Sequence, residues 1–204
     1  MKDLYICTDI EADGPIPGEY SMLSIGAIAI DEEGKIFGDF YKKLKKLPGA
    51  KQHPATMMWW KQNKEAYEEA TANPEDPKKV MSAYLKWSND MKEKTKAQEL
   101  VFLGWPLGYD YMFVYWYLAK FIDDFKTVSP FKLLFTHNGV DFTSYAMGML
   151  NLTFTDALVK NLPKKWFNVE IERTHKAVDD AKRQALIFIN MIRDDKNKHR
   201  EKLR

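Results

Sequence analysis

The stretch Leu4-Tyr5-Ile6-Cys7-Thr8-Asp9-Ile10-Glu11 decides the fold. It is short, rich in β-formers, and stops at the turn-prone Asp13-Gly14-Pro15, which predicts a strand. Two acids interrupt its apolar character. Strand side chains alternate with a period of two, so Asp9 and Glu11 fall on one face at the C-terminal end. Carboxylates held side by side repel, and burial sharpens the repulsion unless a cation neutralises them. Mg²⁺ or Mn²⁺, hard ions that prefer oxygen ligands, would suit the pair. Alone, Asp-x-Glu is better explained as a strand end emerging into a polar turn.

Outward from this strand, residues 22–30 predict a largely buried strand closed by Asp31-Glu32-Glu33-Gly34, and residues 35–44 a third. The three would form an antiparallel meander. Helices are expected over 56–69, with a cap at Thr56, and over 77–94, opened by Pro77. Leu100 to Leu103 is another buried-strand run, followed by a very apolar helix from Asp110 to Ile122. Leu133-Leu134-Phe135 suggests a short strand, residues 142–150 a small helix, and 177–193 the last helix. The strand and helix runs in this order predict an α/β domain with a mixed sheet flanked by helices. One domain is expected over residues 1–195, with a basic, solvated tail over 196–204.

The chain has 204 residues, of which 45% are hydrophobic and 29% charged, an ordinary globular mixture rather than a disordered one. Its 31 Lys and Arg against 29 Asp and Glu leave a formal net charge of +2, so any basic surface must be local. One Cys excludes an intramolecular disulfide and a Cys-based zinc cluster and favours a reducing compartment. No apolar run approaches the roughly 20 residues that span a bilayer, and Leu4 to Cys7 is too short for a signal peptide. A cytoplasmic protein with no membrane partner is expected.

Two further segments bear on the acidic pair. His175-Lys176-Ala177-Val178-Asp179-Asp180-Ala181 sets a histidine just ahead of a helix and an acid inside its first turns. Asp180 shares helical spacing with Ala181, Gln184, Ala185 and Phe188, so it borders the buried face, where a carboxylate needs a partner. His175, five residues earlier, suits a loop overhanging the site. Asp110 opens the apolar helix after Gly104-Trp105-Pro106, although an Asp there also serves as an ordinary N-cap.

Together these segments resemble the DEDDh 3′–5′ exonucleases of the ribonuclease H-like fold, which include ribonuclease T, oligoribonuclease and proofreading exonucleases. The likeness lies in the order Asp9-Ile10-Glu11, then Tyr109-Asp110, then His175 ahead of Asp180 with its His-x-Ala-x-x-Asp-Ala string. The resemblance implies that Asp9, Glu11, Asp110 and Asp180 hold two Mg²⁺ or Mn²⁺ ions about 3.5–4 Å apart. It implies that neutral His175 is the general base for an attacking water. The expected activity is removal of nucleoside 5′-monophosphates from the 3′ end of single-stranded nucleic acid, RNA slightly preferred over DNA. The chain departs from the family at Ala12, where many relatives carry a hydroxyl residue, and at Gly104-Trp105, where many carry His-Asn.

Tyr20, Trp59, Trp60, Trp105 and Tyr109 are candidates to stack on unpaired bases, with Tyr20 and Trp105 favoured because they flank the motif segments. Met22 and Leu23 are candidates to wedge between terminal bases, by analogy with relatives, and Ala12 to contact substrate through its backbone. The lysines at 42, 43, 45, 46 and 51, and those at 160, 164 and 165, would either follow a phosphate backbone or simply face solvent. A possible homodimer is a family-level expectation only. The competing readings are a non-catalytic nucleic-acid-binding domain of the same fold, and an exonuclease subunit of a replication or repair assembly.

Overall fold

The architecture comes from a computed structural model that describes residues 3–123, 134–135 and 139–202. Five strands form one sheet: β1 (Asp3–Ala12), β2 (Met22–Ile30), β3 (Ile36–Lys43), β4 (Glu99–Gly104) and β5 (Gly139–Asp141). Their order is β3-β2-β1-β4-β5. The first three pair antiparallel, as the meander predicts, while β4 joins β1 and β5 joins β4 in parallel. The sheet is therefore mixed, with β1 at its centre.

The helices are α1 (Pro54–Gln62), α2 (Lys64–Thr71), α3 (Pro77–Thr95), α4 (Leu107–Phe121), α5 (Phe142–Leu150) and α6 (Ala177–Lys202). Alternation along β1 sorts its side chains into two cores. Leu4, Ile6 and Ile10 join Tyr84 of α3 and Phe113 and Tyr117 of α4. Cys7 faces the other way, with Phe142 of α5 and Phe188 of α6. Asp9 and Glu11 share the parity of Cys7, so they lie on the face that α6 covers. Every residue of β2 is buried because both faces of the sheet are covered.

Glycine at position 26 allows α6 to rest directly on the sheet. Gly26 is the β2 partner of Asp9, and a Cβ there would lie 2.1 Å from the Val178 amide nitrogen. The start of α6 thus meets the sheet backbone beside the acidic end of β1.

Several local expectations need correction. The single helix expected over 56–69 is two, because the Asn63 side chain donates to the Trp59 carbonyl at 2.9 Å and Asn63 itself leaves helical conformation. Its N-cap is His53 rather than Thr56. The apolar mid-chain helix begins at Leu107, which places Asp110 inside the first turn rather than at the cap. The fifth strand is Gly139–Asp141, not 133–135; three residues are too few to show a strand period in sequence. Leu134 and Phe135 form a bend whose Phe135 ring plugs the first core, and Leu133 lies outside the described residues. The last helix continues through Lys202, so the expected tail is helical there, as its Lys-, Arg- and Glu-rich composition permits. Among the described residues no helix is long and apolar enough to cross a membrane.

Candidate active site

The end of β1, the first turn of α4 and the first turns of α6 meet at one place. Thr8, Ile10 and Ala12 are buried, while Asp9 and Glu11 between them are partly exposed. Gln184, one turn after Asp180 on α6, donates from Nε2 to Asp9 Oδ1 at 2.8 Å. Asp110 reaches the same strand from α4, where its Oδ1 accepts the Ile10 amide at 3.3 Å. Its Oδ2 is buried and, among the described residues, has no hydrogen-bond partner.

The loop before α6 folds over Asp180. Oδ1 of Asp180 accepts the Thr174 amide and Oδ2 the His175 amide, both at 3.1 Å, and the Arg173 Nε stands 3.9 Å from Oδ2. His175 adopts a left-handed backbone, φ 57°, which turns the chain back over the helix start. One ligand atom each from Glu11, His175 and Asp180 lie within 4.8 Å of one another. The edge-to-face contact of the His175 ring with Trp59, 4.8 Å between centroids at 87°, fixes the imidazole from the α1 side.

The electrostatics match this crowding. Burial, then the charge of Asp180, pushes Asp9 up to about 8, although Gln184 and Arg173 oppose the shift. Glu11 is pushed up to about 9 by burial and then by Asp9 and Asp180, with Arg173 again opposing. Burial and the neighbouring Asp9 hold Asp110 well above the usual carboxylate range. Burial, followed by the charge of Arg173, lowers His175, and Asp180 offsets part of the fall. Asp9 and Glu11 therefore retain protons near neutrality, while the shift at His175 favours the neutral imidazole.

The donor set fits a hard divalent cation. The acids supply oxygen ligands, one of them an orphaned buried atom, and a cation would remove the repulsion that now keeps protons on the site. Glu11, His175 and Asp180 bring ligand atoms close enough to share one, and Asp9 and Asp110 adjoin them. Gln184 and Arg173 were not read from sequence as part of the site. Gln184 carries the fourth-residue spacing from Asp180 that betrays a shared helix face, whereas nothing in the sequence marks Arg173.

The proposed substrate contacts divide. Met22 and Leu23 are buried in separate cores, so neither presents a side chain to a terminal base. Ala12 is buried too, and its carbonyl accepts the Trp60 indole N–H at 3.0 Å. Tyr20 packs over Gly14 and against His53. The Tyr109 hydroxyl donates to the Gly14 carbonyl at 3.2 Å, tying α4 to the loop after β1. Trp105 stacks on Phe142 and donates to Thr143. Trp59 stays partly exposed beside His175. Of the first lysine cluster, Lys42, Lys43 and Lys51 are paired with Glu75, Glu69 and Glu19, which removes much of its pull on phosphate. In the second, Lys165 is paired with Asp194.

A family model described as the 3′–5′ exoribonuclease Rv2179c-like domain matches residues 5–192. The chain is 26% identical over 189 residues to the 3′–5′ DNA exonuclease Cap18 of Escherichia coli, covering 92% of this chain and 90% of Cap18. Among solved structures, the Mg²⁺- and Mn²⁺-bound form of S. pombe Pop2p superposes with a TM-score of 0.60 at 12% identity, covering 92% of this chain and 82% of Pop2p. E. coli exonuclease I in complex with a dT13 oligonucleotide gives 0.65 at 14%, covering 99% of this chain and 43% of that one. The likeness to these structures is one of fold, the ribonuclease H-like arrangement of a mixed sheet between helices. With a family model spanning nearly its whole length, the chain belongs to the Rv2179c-like 3′–5′ exoribonuclease domain family and is a 3′–5′ exonuclease.

Proposed function

We propose that the protein removes nucleoside 5′-monophosphates one at a time from the 3′ end of single-stranded nucleic acid, RNA slightly preferred over DNA. The observation that carries this reading is the convergence of Glu11, His175 and Asp180, whose ligand atoms lie within 4.8 Å of one another, with Asp9 and Asp110 near enough to act on each other's charge. The four carboxylates would hold two Mg²⁺ or Mn²⁺ ions. When bound, such ions neutralise charge on the scissile phosphate and lower the pKa of water.

The remaining chemistry belongs to the chain. His175, kept neutral by burial and Arg173, accepts the proton of the attacking water at a ring nitrogen. Its backbone amide and that of Thr174 are anchored on Asp180, so the base and an acidic residue move as one unit. Gln184 holds the orientation of Asp9. Trp59 limits the imidazole to one side of the site.

The reading is tested with matched 5′-labelled single-stranded RNA and DNA, incubated with Mg²⁺, with Mn²⁺ and with EDTA. Shortening from the 3′ end in either metal, none in EDTA, and mononucleotide 5′-phosphate as product are expected. Asp180→Asn should reduce turnover to background, and His175→Ala should lower kcat by roughly 10²–10⁴-fold while Mn²⁺ still binds. Undiminished degradation in EDTA, or in both variants, would overturn it.

A further inference from the structure

Beside Asp180 and Gln184 opens a cleft of about 700 Å³ whose apolar wall the chemistry described above does not use. His175 belongs to a different and more polar pocket, shared with Lys61 and Lys64. Three large apolar side chains line the cleft and remain open to solvent: Phe154 at 60%, Leu158 at 37% and Val159 at 50% exposure. Two guanidinium groups, Arg173 and Arg183, line it as well. Arg173 is itself 71% exposed and stands 3.9 Å from Asp180.

Apolar surface left in water costs stability unless something covers it, and this surface adjoins two cations and the candidate scission residues. An apolar shelf beside guanidinium groups matches the chemistry of a nucleotide, whose base stacks while its phosphate takes the charge. An exonuclease keeps only one nucleotide on the 3′ side of the bond it cuts. The rest of the strand lies on the 5′ side and has to leave along the protein surface. An open cleft that carries two guanidinium groups beside the carboxylates of Asp141 and Asp180, and so adjoins the acidic site, suits the strand that continues.

We propose that this cleft binds the nucleotide immediately 5′ of the scissile phosphate, with its base against Phe154, Leu158 and Val159 and its phosphate near Arg173 and Arg183. This rests on the assignment of Asp180 to the cleaving site. Binding there sets how firmly the enzyme grips the strand between successive cuts.

The test pairs two single-stranded oligonucleotides that differ only at the penultimate nucleotide, one carrying a base and one abasic. Wild type should lose on the order of tenfold in kcat/KM on the abasic strand. Phe154→Ala should lose a similar factor on the intact strand and little more on the abasic one. A 2-aminopurine at the penultimate position should be quenched on binding wild type in EDTA and less so with Phe154→Ala. Equal losses by Phe154→Ala on both strands, no loss on either, or coupling that appears only for an abasic 3′-terminal nucleotide would overturn the assignment. Asp180→Asn separates the two ideas. If that variant stays active, the carboxylate assignment falls and the cleft's place beside the cut falls with it; if it is inactive and wild type shows no coupling, the cleft alone falls.

Discussion

The side-chain amide of Gln184 donates to Asp9 Oδ1 at 2.8 Å, linking α6 to the end of the central strand. This bond lowers Asp9 against the upward push of burial and of Asp180. It also leaves the Gln184 side-chain carbonyl oxygen buried without a partner among the described residues. The contact thus ties together two acids that lie 171 positions apart in the chain (180 less 9).

Removing that bond should weaken cation uptake. Gln184→Ala is expected to need about 10–100-fold more Mg²⁺ or Mn²⁺ for half-maximal activity, the usual effect of losing a group that orients a ligand. A metal titration of hydrolysis rate checks this, and an unchanged midpoint would contradict it.

The raised acids make a statement about stability. Asp9 and Glu11 titrate at about 8 and about 9 in the folded protein, against roughly 4 when unfolded. Between those values the native state holds more protons than the unfolded state, so stability falls as pH rises. Metal-free protein should melt at progressively lower temperature from about pH 5 to about pH 9. Asp9→Asn should flatten part of that slope, and Mn²⁺ should raise Tm most at the alkaline end. Melting curves in EDTA and in Mn²⁺ decide it; a Tm that climbs with pH in EDTA would count against the buried charge cluster.

Close approach of α6 to the sheet depends on Gly26. With Ala177 and Val178 backbone atoms 2.1–2.4 Å from the place a Cβ would occupy, Gly26→Ala has to push the helix outward. We expect a loss of about 1–3 kcal/mol or more. Activity should fall by a larger factor than stability alone explains, because the displaced helix carries Asp180 and Gln184. Denaturant unfolding beside kcat at saturating metal would reveal wild-type values if α6 tolerates the methyl group.

Trp59 acts on His175 rather than on packing alone. Trp59→Ala should lower kcat on the order of tenfold by freeing the imidazole, with KM nearly unchanged, and Trp59→Phe should recover most of the loss. A rise in KM with constant kcat would instead assign the indole to substrate.

Its neighbour Trp60 is structural. Trp60 is buried, packs with Leu23 and Ala70, and donates to the Ala12 carbonyl. Trp60→Ala should cost about 3–5 kcal/mol, read from denaturant midpoints, which would distinguish it sharply from exposed Trp59.

The sequence alone determined the parts that depend on local rules. A period of two placed Asp9 and Glu11 on one face of β1, and helical spacing placed Asp180 at the edge of a buried face, because backbone geometry fixes both periods. It also read an opening run of strands, then helices with a further strand among them, from which the mixed sheet follows. Only the tertiary structure decided which groups meet across long separations. The burial of Met22 and Leu23, the pairing of Lys42 and Lys43, the Gln184–Asp9 bond and the contact of Trp59 with His175 all depend on partners far along the chain. The three-residue β5 and the break at Asn63 escaped for a related reason. A pattern needs several residues to show itself, whereas a hydrogen bond or a packed ring needs only one neighbour, and the fold chooses that neighbour.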